Sequence, residues 1–74
     1  MGIDQTIAAG QVYREATPPH RSWQVMRVVQ SWLDVPHATI RRVDDPNITK
    51  LISCPTLSDP RRYRVVAAPP AVEA

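Results

Sequence analysis

Short runs rich in β-branched and aromatic residues, separated by Pro, Asp and Asn, limit what this 74-residue chain can fold into. Val, Ile, Trp and Tyr favour extended backbone, whereas Pro, Asp and Asn favour the turns between strands. We therefore predict a mainly β fold, a five-stranded antiparallel barrel. The predicted strands are residues 11–14, 22–29, 38–43, 49–53 and 63–66, of which 49–53 is the weakest.

Alternation within the runs predicts which side chains face the interior, because successive strand residues point to opposite faces. Val28 shares the face of Val25 only if a β-bulge inserts one extra residue between them. Arg42 has the parity of Ile40, so it must lie near the end of its strand or after another irregularity. The residues predicted to face inward are Trp23, Val25, Ala38, Ile40, Tyr63 and Val65.

Residues 22–35 also fit a second interpretation, an amphipathic helix. Five apolar side chains follow a helical period there, and Ser22 could cap such a helix. The segment contains four valines, which lose side-chain freedom in a helix, and no Ala, Glu or Lys. We therefore favour the strand. The helical stripe would consist of Val25, Val28, Val29, Trp32 and Val35.

Both ends of the chain differ in composition from its middle, and we predict one domain over residues 10–66. Residues 1–9 show neither alternation nor a helix cap and are predicted to be a flexible segment. Residues 67–74 form a Pro- and Ala-rich tail that is predicted to be disordered. Asp59-Pro60 is predicted to begin a single 3₁₀ turn that leads into the last strand.

Cysteine, histidine and hydropathy patterns argue against several classes of protein. Cys54 is the only cysteine, so no internal disulfide can form. His20 and His37 lie in no metal-ligand spacing, and a Cys54–His37 pair in so small a domain would lack a deep pocket. No apolar run is long enough to cross a membrane, and the first ten residues do not resemble a signal peptide. We predict a cytoplasmic, non-enzymatic protein without metal or cofactor.

Basic side chains outnumber acidic ones within the predicted domain. Residues 10–66 hold nine Lys or Arg against five Asp or Glu, and eight of the nine are Arg, which pairs bidentately with phosphate. These side chains form either a phosphate-binding face or an ordinary solvated strand face partly neutralised by Asp44, Asp45 and Asp59. The candidate binding residues on one outward face are Arg27, Arg41, Lys50, Arg62 and Arg64.

Trp32 is a sixth candidate binding residue, in the predicted loop between the second and third strands. An exposed Trp beside Leu33 is typical of a residue that anchors a protein partner or stacks on a base. Alternatively, Trp32 folds back as a lid over one mouth of the barrel. Both interpretations stay open from the sequence.

The order of these segments resembles the SH3-like small barrels, a group that includes KOW and Tudor modules. It also resembles small bacterial proteins that share the same spacing of apolar and turn residues. The resemblance implies an SH3-like barrel, and kinship with the KOW modules would imply contacts with RNA or the ribosome. The matching residues are Gly10 to Arg14, Trp23, Val25, Val28, Pro36 to Ala38, Ile40, Thr49 to Lys50, Ile52 to Ser53, Leu57, Asp59 and Arg62 to Val66.

Two functions are predicted from these features. The first is a binding module that contacts RNA or a ribonucleoprotein through the basic strand face, with Trp32 stacking on a base. The second is a protein–protein adaptor or homodimer that buries Trp32 and Leu33, or pairs an open strand edge with another chain.

Overall fold

Five antiparallel strands and one helical turn make up residues 7–31 and 34–67, the part of the chain that the computed structural model describes. The elements are β1 Val12–Glu15, β2 Ser22–Ser31, β3 Asp34–Arg42, β4 Thr49–Ser53, α1 Cys54–Leu57 and β5 Tyr63–Ala67. The strands lie in one sheet in the order β4-β3-β2-β1-β5, which curls into a half-barrel. The prediction of a mainly β, five-stranded antiparallel fold is confirmed.

β2 and β3 form the long hairpin at the centre of the sheet. They pair antiparallel from Trp23 opposite Arg42 to Ser31 opposite Asp34. Valines favour this extended backbone because branching at Cβ restricts their side chains in a helix. The helical interpretation of residues 22–35 is therefore wrong for the described residues of that segment. β3 begins four residues earlier than predicted, which lengthens the hairpin.

A β-bulge in β2 puts Val28 on the interior side, as the sequence predicts. The pairing of β2 with β3 shifts between Val25 and Arg27, so Met26 is the extra residue. Val25 is buried and Val28 packs against the core, whereas Met26 and Arg27 are both exposed. The extra residue thus keeps both valines facing the same side of the sheet.

The core lies on the concave side of the half-barrel. Its buried residues are Tyr13, Trp23, Val25, Ala38, Ile40 and Leu57. Four of the six residues predicted to face inward are among them, and a fifth, Tyr63, packs against their margin. The sixth, Val65, faces the same side because it lies opposite the buried Tyr13, but it stays 45% exposed because β5 is an edge strand with no neighbour beyond it.

The helical turn α1 supplies Leu57, a fully buried core residue that the sequence analysis assigns to no element. Ser53 caps this turn, since its Oγ accepts a hydrogen bond from the Thr56 N–H at 3.3 Å. Pro55 lies in the first turn, where a helix does not need the missing N–H. A serine followed closely by proline is typical of a helix start, so this signal is present in the sequence.

The turn predicted after Asp59 is present as well, and it follows α1. The Asp59 carbonyl accepts hydrogen bonds from the N–H groups of Arg62 and Tyr63, both at 2.9 Å. The Asp59 carboxylate accepts another from the Arg61 N–H at 3.0 Å. Asp59 therefore caps a tight turn that leads directly into β5.

The described fold begins before residue 10, the predicted start of the domain. Ile7 packs against the core, and the Gly10 N–H donates to the Val25 carbonyl at 2.9 Å. Gly10 has a φ of 97°, a left-handed conformation that glycine adopts readily because it has no Cβ. Residues 1–6 and 68–74, which hold most of the predicted terminal segments, lie outside the described residues.

Candidate nucleic-acid interface

One arginine from each of four adjacent strands faces outward on the convex side of the sheet. Arg64 lies on β5, Arg14 on β1, Arg27 on β2 and Arg41 on β3. Each is next in sequence to a residue of the core or its margin, and successive strand residues point to opposite faces. We call these four residues the convex arginines.

Ion pairs in the described part of the chain lie elsewhere. Arg42, at the end of β3, pairs with Asp44 at 3.0 Å. Asp59 pairs with Arg61 at 3.2 Å and with Arg62 at 3.8 Å in the turn before β5. The convex arginines thus have no carboxylate of the described residues within ion-pairing distance.

The aspartates in these ion pairs have pKa values below that of a free aspartate. A hydrogen bond from the Arg42 guanidinium holds the pKa of Asp44 below its usual value. A hydrogen bond from the Arg61 side chain does the same for the pKa of Asp59, with help from the Arg61 backbone N–H. Because both carboxylates are engaged locally, neither offsets the charge of the convex arginines.

Lys50 does not belong to the convex face, and the prediction that places it there is wrong. Its cross-strand partner is Ile40, which is fully buried, and Ile52 two residues on packs against the core. The Lys50 Nζ lies 4.5 Å from the centroid of the Trp23 ring and donates to the Tyr63 hydroxyl at 3.3 Å. Lys50 therefore lies on the concave side, at the open edge of the half-barrel.

The other predicted binding residues divide into three groups. Of the five basic candidates, three are convex arginines and face outward as predicted: Arg27, Arg41 and Arg64. Arg62 lies in the turn before β5, beside the Asp59 carboxylate. Trp32 and the neighbouring Leu33 lie outside the described residues, so the predictions for them stay predictions.

Arg14 completes the convex arginines, although the sequence analysis does not single it out. It lies directly opposite Arg64 in the ladder between β1 and β5, and both side chains are exposed. The alternation of Tyr13 and Arg14 was the available signal, because a buried Tyr13 places the next residue outward. Like charges directly opposite each other destabilise a sheet, so this pair favours a bound anion between the two guanidinium groups.

A cleft of about 400 Å³ opens beside this arginine pair. His20 borders it with a φ of 60°, and the ring Nδ1 of His20 lies 3.0 Å from the Glu15 carbonyl oxygen. We call this space the arginine cleft. Its lining residues are Arg14, Glu15, Ala16, His20, Arg64 and Val66.

Exposed apolar side chains lie on the two edge strands of the same sheet. Leu51 on β4 is 62% exposed and Val66 on β5 is 53% exposed. Leu51 shares a cross-strand row with Arg27, since both are opposite Thr39. Such a surface offers cations to phosphates and apolar contacts to bases or to partner side chains.

The described residues hold neither a metal-binding cluster nor a helix that could span a membrane. No group of three or more His, Cys, Asp or Glu side chains there is placed to hold a metal ion. Burial raises the pKa of the Cys54 thiol, which lowers its thiolate fraction and hence its reactivity. No helix in this part of the chain is long and apolar enough to span a membrane.

No protein-family model, no curated protein and no solved structure matches the chain. The fold and the charged surface therefore define the structural class of the protein. It is a small antiparallel half-barrel whose convex face carries arginines without ion-pair partners among the described residues.

Proposed function

We propose that this protein is a non-enzymatic, cytoplasmic binding module related to the SH3-like small barrels, and that it binds single-stranded RNA through the convex arginines. One observation supports this above all others. Four adjacent strands each contribute an arginine to one face, and no described carboxylate lies within ion-pairing distance of them. Two of them, Arg14 and Arg64, lie directly opposite each other, and like charges in such positions repel, so an anionic ligand explains this pair better than stability does.

The strand spacing fits an extended anionic polymer. Neighbouring strands lie about 4.8 Å apart, so four of them spread the arginines over roughly 14 Å across the sheet. The arginines also differ in position along the strands, since Arg27 lies five residues beyond Ser22, the β2 partner of Arg14. Each guanidinium is a planar fork that matches phosphate bidentately and stacks on flat bases. Neutralising several phosphates releases counterions, so affinity for RNA should fall as salt rises, whether the RNA is free or part of a ribonucleoprotein.

Fluorescence anisotropy with a labelled single-stranded RNA, over a series of salt concentrations, tests this function. We expect a linear fall of log affinity with log salt. In the double variant Arg27→Gln/Arg41→Gln, the slope should become shallower by about 1.4, since each lost contact to a single strand removes about 0.7. The affinity should fall for every RNA sequence, because phosphate contacts carry no sequence information.

Arg61→Gln is the matched control for the double variant. The Arg61 side chain is 89% exposed, and it pairs with Asp59 in the turn before β5. Its replacement should leave the salt slope unchanged. Wild-type affinity that does not respond to salt, or an equal loss in Arg61→Gln, contradicts the proposal.

A second candidate function, a homodimer, is favoured by the open edge of β4. No described strand pairs with this edge, and Leu51 at its centre is 62% exposed. Two copies of β4 paired antiparallel about Leu51 would bring Lys50 opposite Ile52 of the second copy. No like charges would then meet in the new ladder.

Sedimentation equilibrium tests the dimer directly. Leu51→Lys should give a monomer where the wild type dimerises, whereas Val43→Lys should not, since Val43 is also exposed but lies outside β4. A wild-type monomer at high protein concentration would rule out this function.

A further inference from the structure

We propose that the arginine cleft binds one phosphate group of a phosphate monoester. The proposal rests on the RNA-binding function where the ligand is RNA, one of two possible sources of such a phosphate. The two sources are the phosphorylated end of an RNA strand and a free or small-molecule phosphate.

The arginine pair supplies two guanidinium groups on one side of the cleft. Arg14 and Arg64 are direct cross-strand partners, and side chains in such positions have Cβ atoms roughly 5 Å apart. The Arg64 Nε donates to the Pro60 carbonyl at 3.3 Å, which orients the guanidinium and leaves its remaining N–H groups for a ligand. An anion between the two arginines removes their mutual repulsion.

His20 supplies a third polar group. Its backbone has a φ of 60°, which is disfavoured for residues with a Cβ, so the ring is placed beside the arginines against local preference. Its Nδ1 donates to the Glu15 carbonyl at 3.0 Å, whereas its Nε2 has no hydrogen-bond partner among the described residues. The Nε2 atom is therefore available to contact a ligand in the cleft.

The single carboxylate at the cleft is engaged elsewhere. The Glu15 Oε2 accepts a hydrogen bond from the Trp23 Nε1 at 2.9 Å, and Oε1 accepts one from the Arg21 N–H at 3.4 Å. Glu15 thus forms no ion pair with Arg14 or Arg64. The charged and titratable groups around His20 are Arg14, Glu15, Arg21, Asp44 and Arg64.

Charge favours a monoester over a backbone diester. A phosphate monoester carries close to two negative charges at neutral pH, which match the two guanidinium groups, whereas a diester carries one. The cleft volume of about 400 Å³ leaves room for the phosphate and the group attached to it. Ala16 and Val66 form the apolar part of the wall.

Titration of the full chain with inorganic phosphate, followed by amide NMR, tests the site. We expect shifts at Ala16, His20 and Arg64 that sodium chloride of equal ionic strength does not reproduce. Arg14→Gln should weaken phosphate binding at least about tenfold, because each lost charge-assisted hydrogen bond costs that much or more. Arg61→Gln, in the turn before β5 and outside the cleft, should leave phosphate binding unchanged.

The amide spectrum of each variant reports directly whether it is folded, and His20→Gln provides a second variant that leaves both arginines in place. It should weaken phosphate binding less than Arg14→Gln does. Shifts that chloride reproduces, or an equal loss of phosphate binding in Arg61→Gln, overturn the site.

Two RNAs of one sequence, with a 5′-phosphate or a 5′-hydroxyl end, distinguish the sources. Tighter binding of the phosphorylated RNA that disappears in Arg14→Gln assigns the cleft to the RNA end. Equal binding of both RNAs, together with phosphate shifts in the cleft, assigns it to a free or small-molecule phosphate. If the protein binds phosphate but no RNA, the phosphate site stands and the RNA-binding function is contradicted. If the protein binds RNA but phosphate causes no shifts in the cleft, the RNA-binding function stands and the phosphate site is contradicted.

Discussion

Lys50 lies over the Trp23 ring at the open side of the half-barrel. Its Nζ lies 4.5 Å from the centroid of the Trp23 ring and 5.9 Å from that of Tyr63. The edge of the indole is held as well, because its Nε1 donates to the Glu15 carboxylate at 2.9 Å. β4 and β5 share no ladder in the described sheet, so Lys50 links two edges that the backbone leaves apart.

Lys50→Met should lower the free energy of unfolding by about 0.5–1 kcal/mol, the usual contribution of a cation over an aromatic ring at an exposed site. Methionine keeps an apolar stem of similar length, so the change isolates the charge. Equilibrium unfolding in urea measures it.

Arg27→Met is the matched control for Lys50→Met. Arg27 is also an exposed strand residue, but its guanidinium does not lie over an aromatic ring of the described residues. Its replacement should change the free energy of unfolding by less than about 0.5 kcal/mol. Equal losses in both variants would show that the ammonium of Lys50 has no specific role.

Two short capped turns join β4 to β5. α1 is capped by Ser53, and the turn after it is capped by Asp59. The sequence predicts the second turn from the Asp-Pro pair but misses the first. A helix of four residues is too short to show a helical period, and it follows a strand without a break.

The Asp59 turn should make stability depend on pH in acid. The Arg61 side chain lowers the pKa of Asp59 in the folded state. The carboxylate therefore stabilises the fold above its unfolded pKa, and this contribution is lost as pH falls through the folded pKa. Urea unfolding from neutral to strongly acidic pH should show the wild type losing more stability than Asp59→Asn.

The neutral variant Asp59→Asn keeps a side-chain oxygen that can still accept the Arg61 N–H, so it differs mainly in charge. The difference in stability between wild type and variant should shrink as the pH is lowered. A difference that stays constant over the whole range would contradict this account of the turn.

The core of the whole molecule is small, and one residue of α1 completes it. Single cores in chains of this length rarely supply more than about 3–5 kcal/mol. Leu57 is fully buried beneath the sheet, where it belongs to the same cluster as Tyr13 and Ile40. The stability of the half-barrel therefore depends on the short connection between its two edge strands.

Leu57→Ala should leave the chain largely unfolded at room temperature, because removing a buried leucine side chain costs about 2–5 kcal/mol. Circular dichroism and the dispersion of amide NMR signals measure this. Leu51→Ala is the control, since Leu51 is 62% exposed and its truncation opens no cavity. A folded Leu57→Ala variant with wild-type stability would show that α1 is not part of the core.

Much of the fold could be predicted because its signals are local. Alternation identified the strands, and the spacing of Val25 and Val28 identified the bulge. The site was only partly predictable. Arg27, Arg41 and Arg64 were placed outward correctly, whereas Lys50 was not, because the face of β4 depends on its register with Ile40.

The sequence by itself determined the strands, the turn at Asp59 and most of the inward-facing residues. Backbone preference and period-two burial act over a few residues, so they can be read without the rest of the molecule. Only the tertiary structure decided that Arg14 lies opposite Arg64, 50 positions away in the chain, and that Lys50 lies over Trp23. These contacts depend on which strands become neighbours, and no local pattern specifies that.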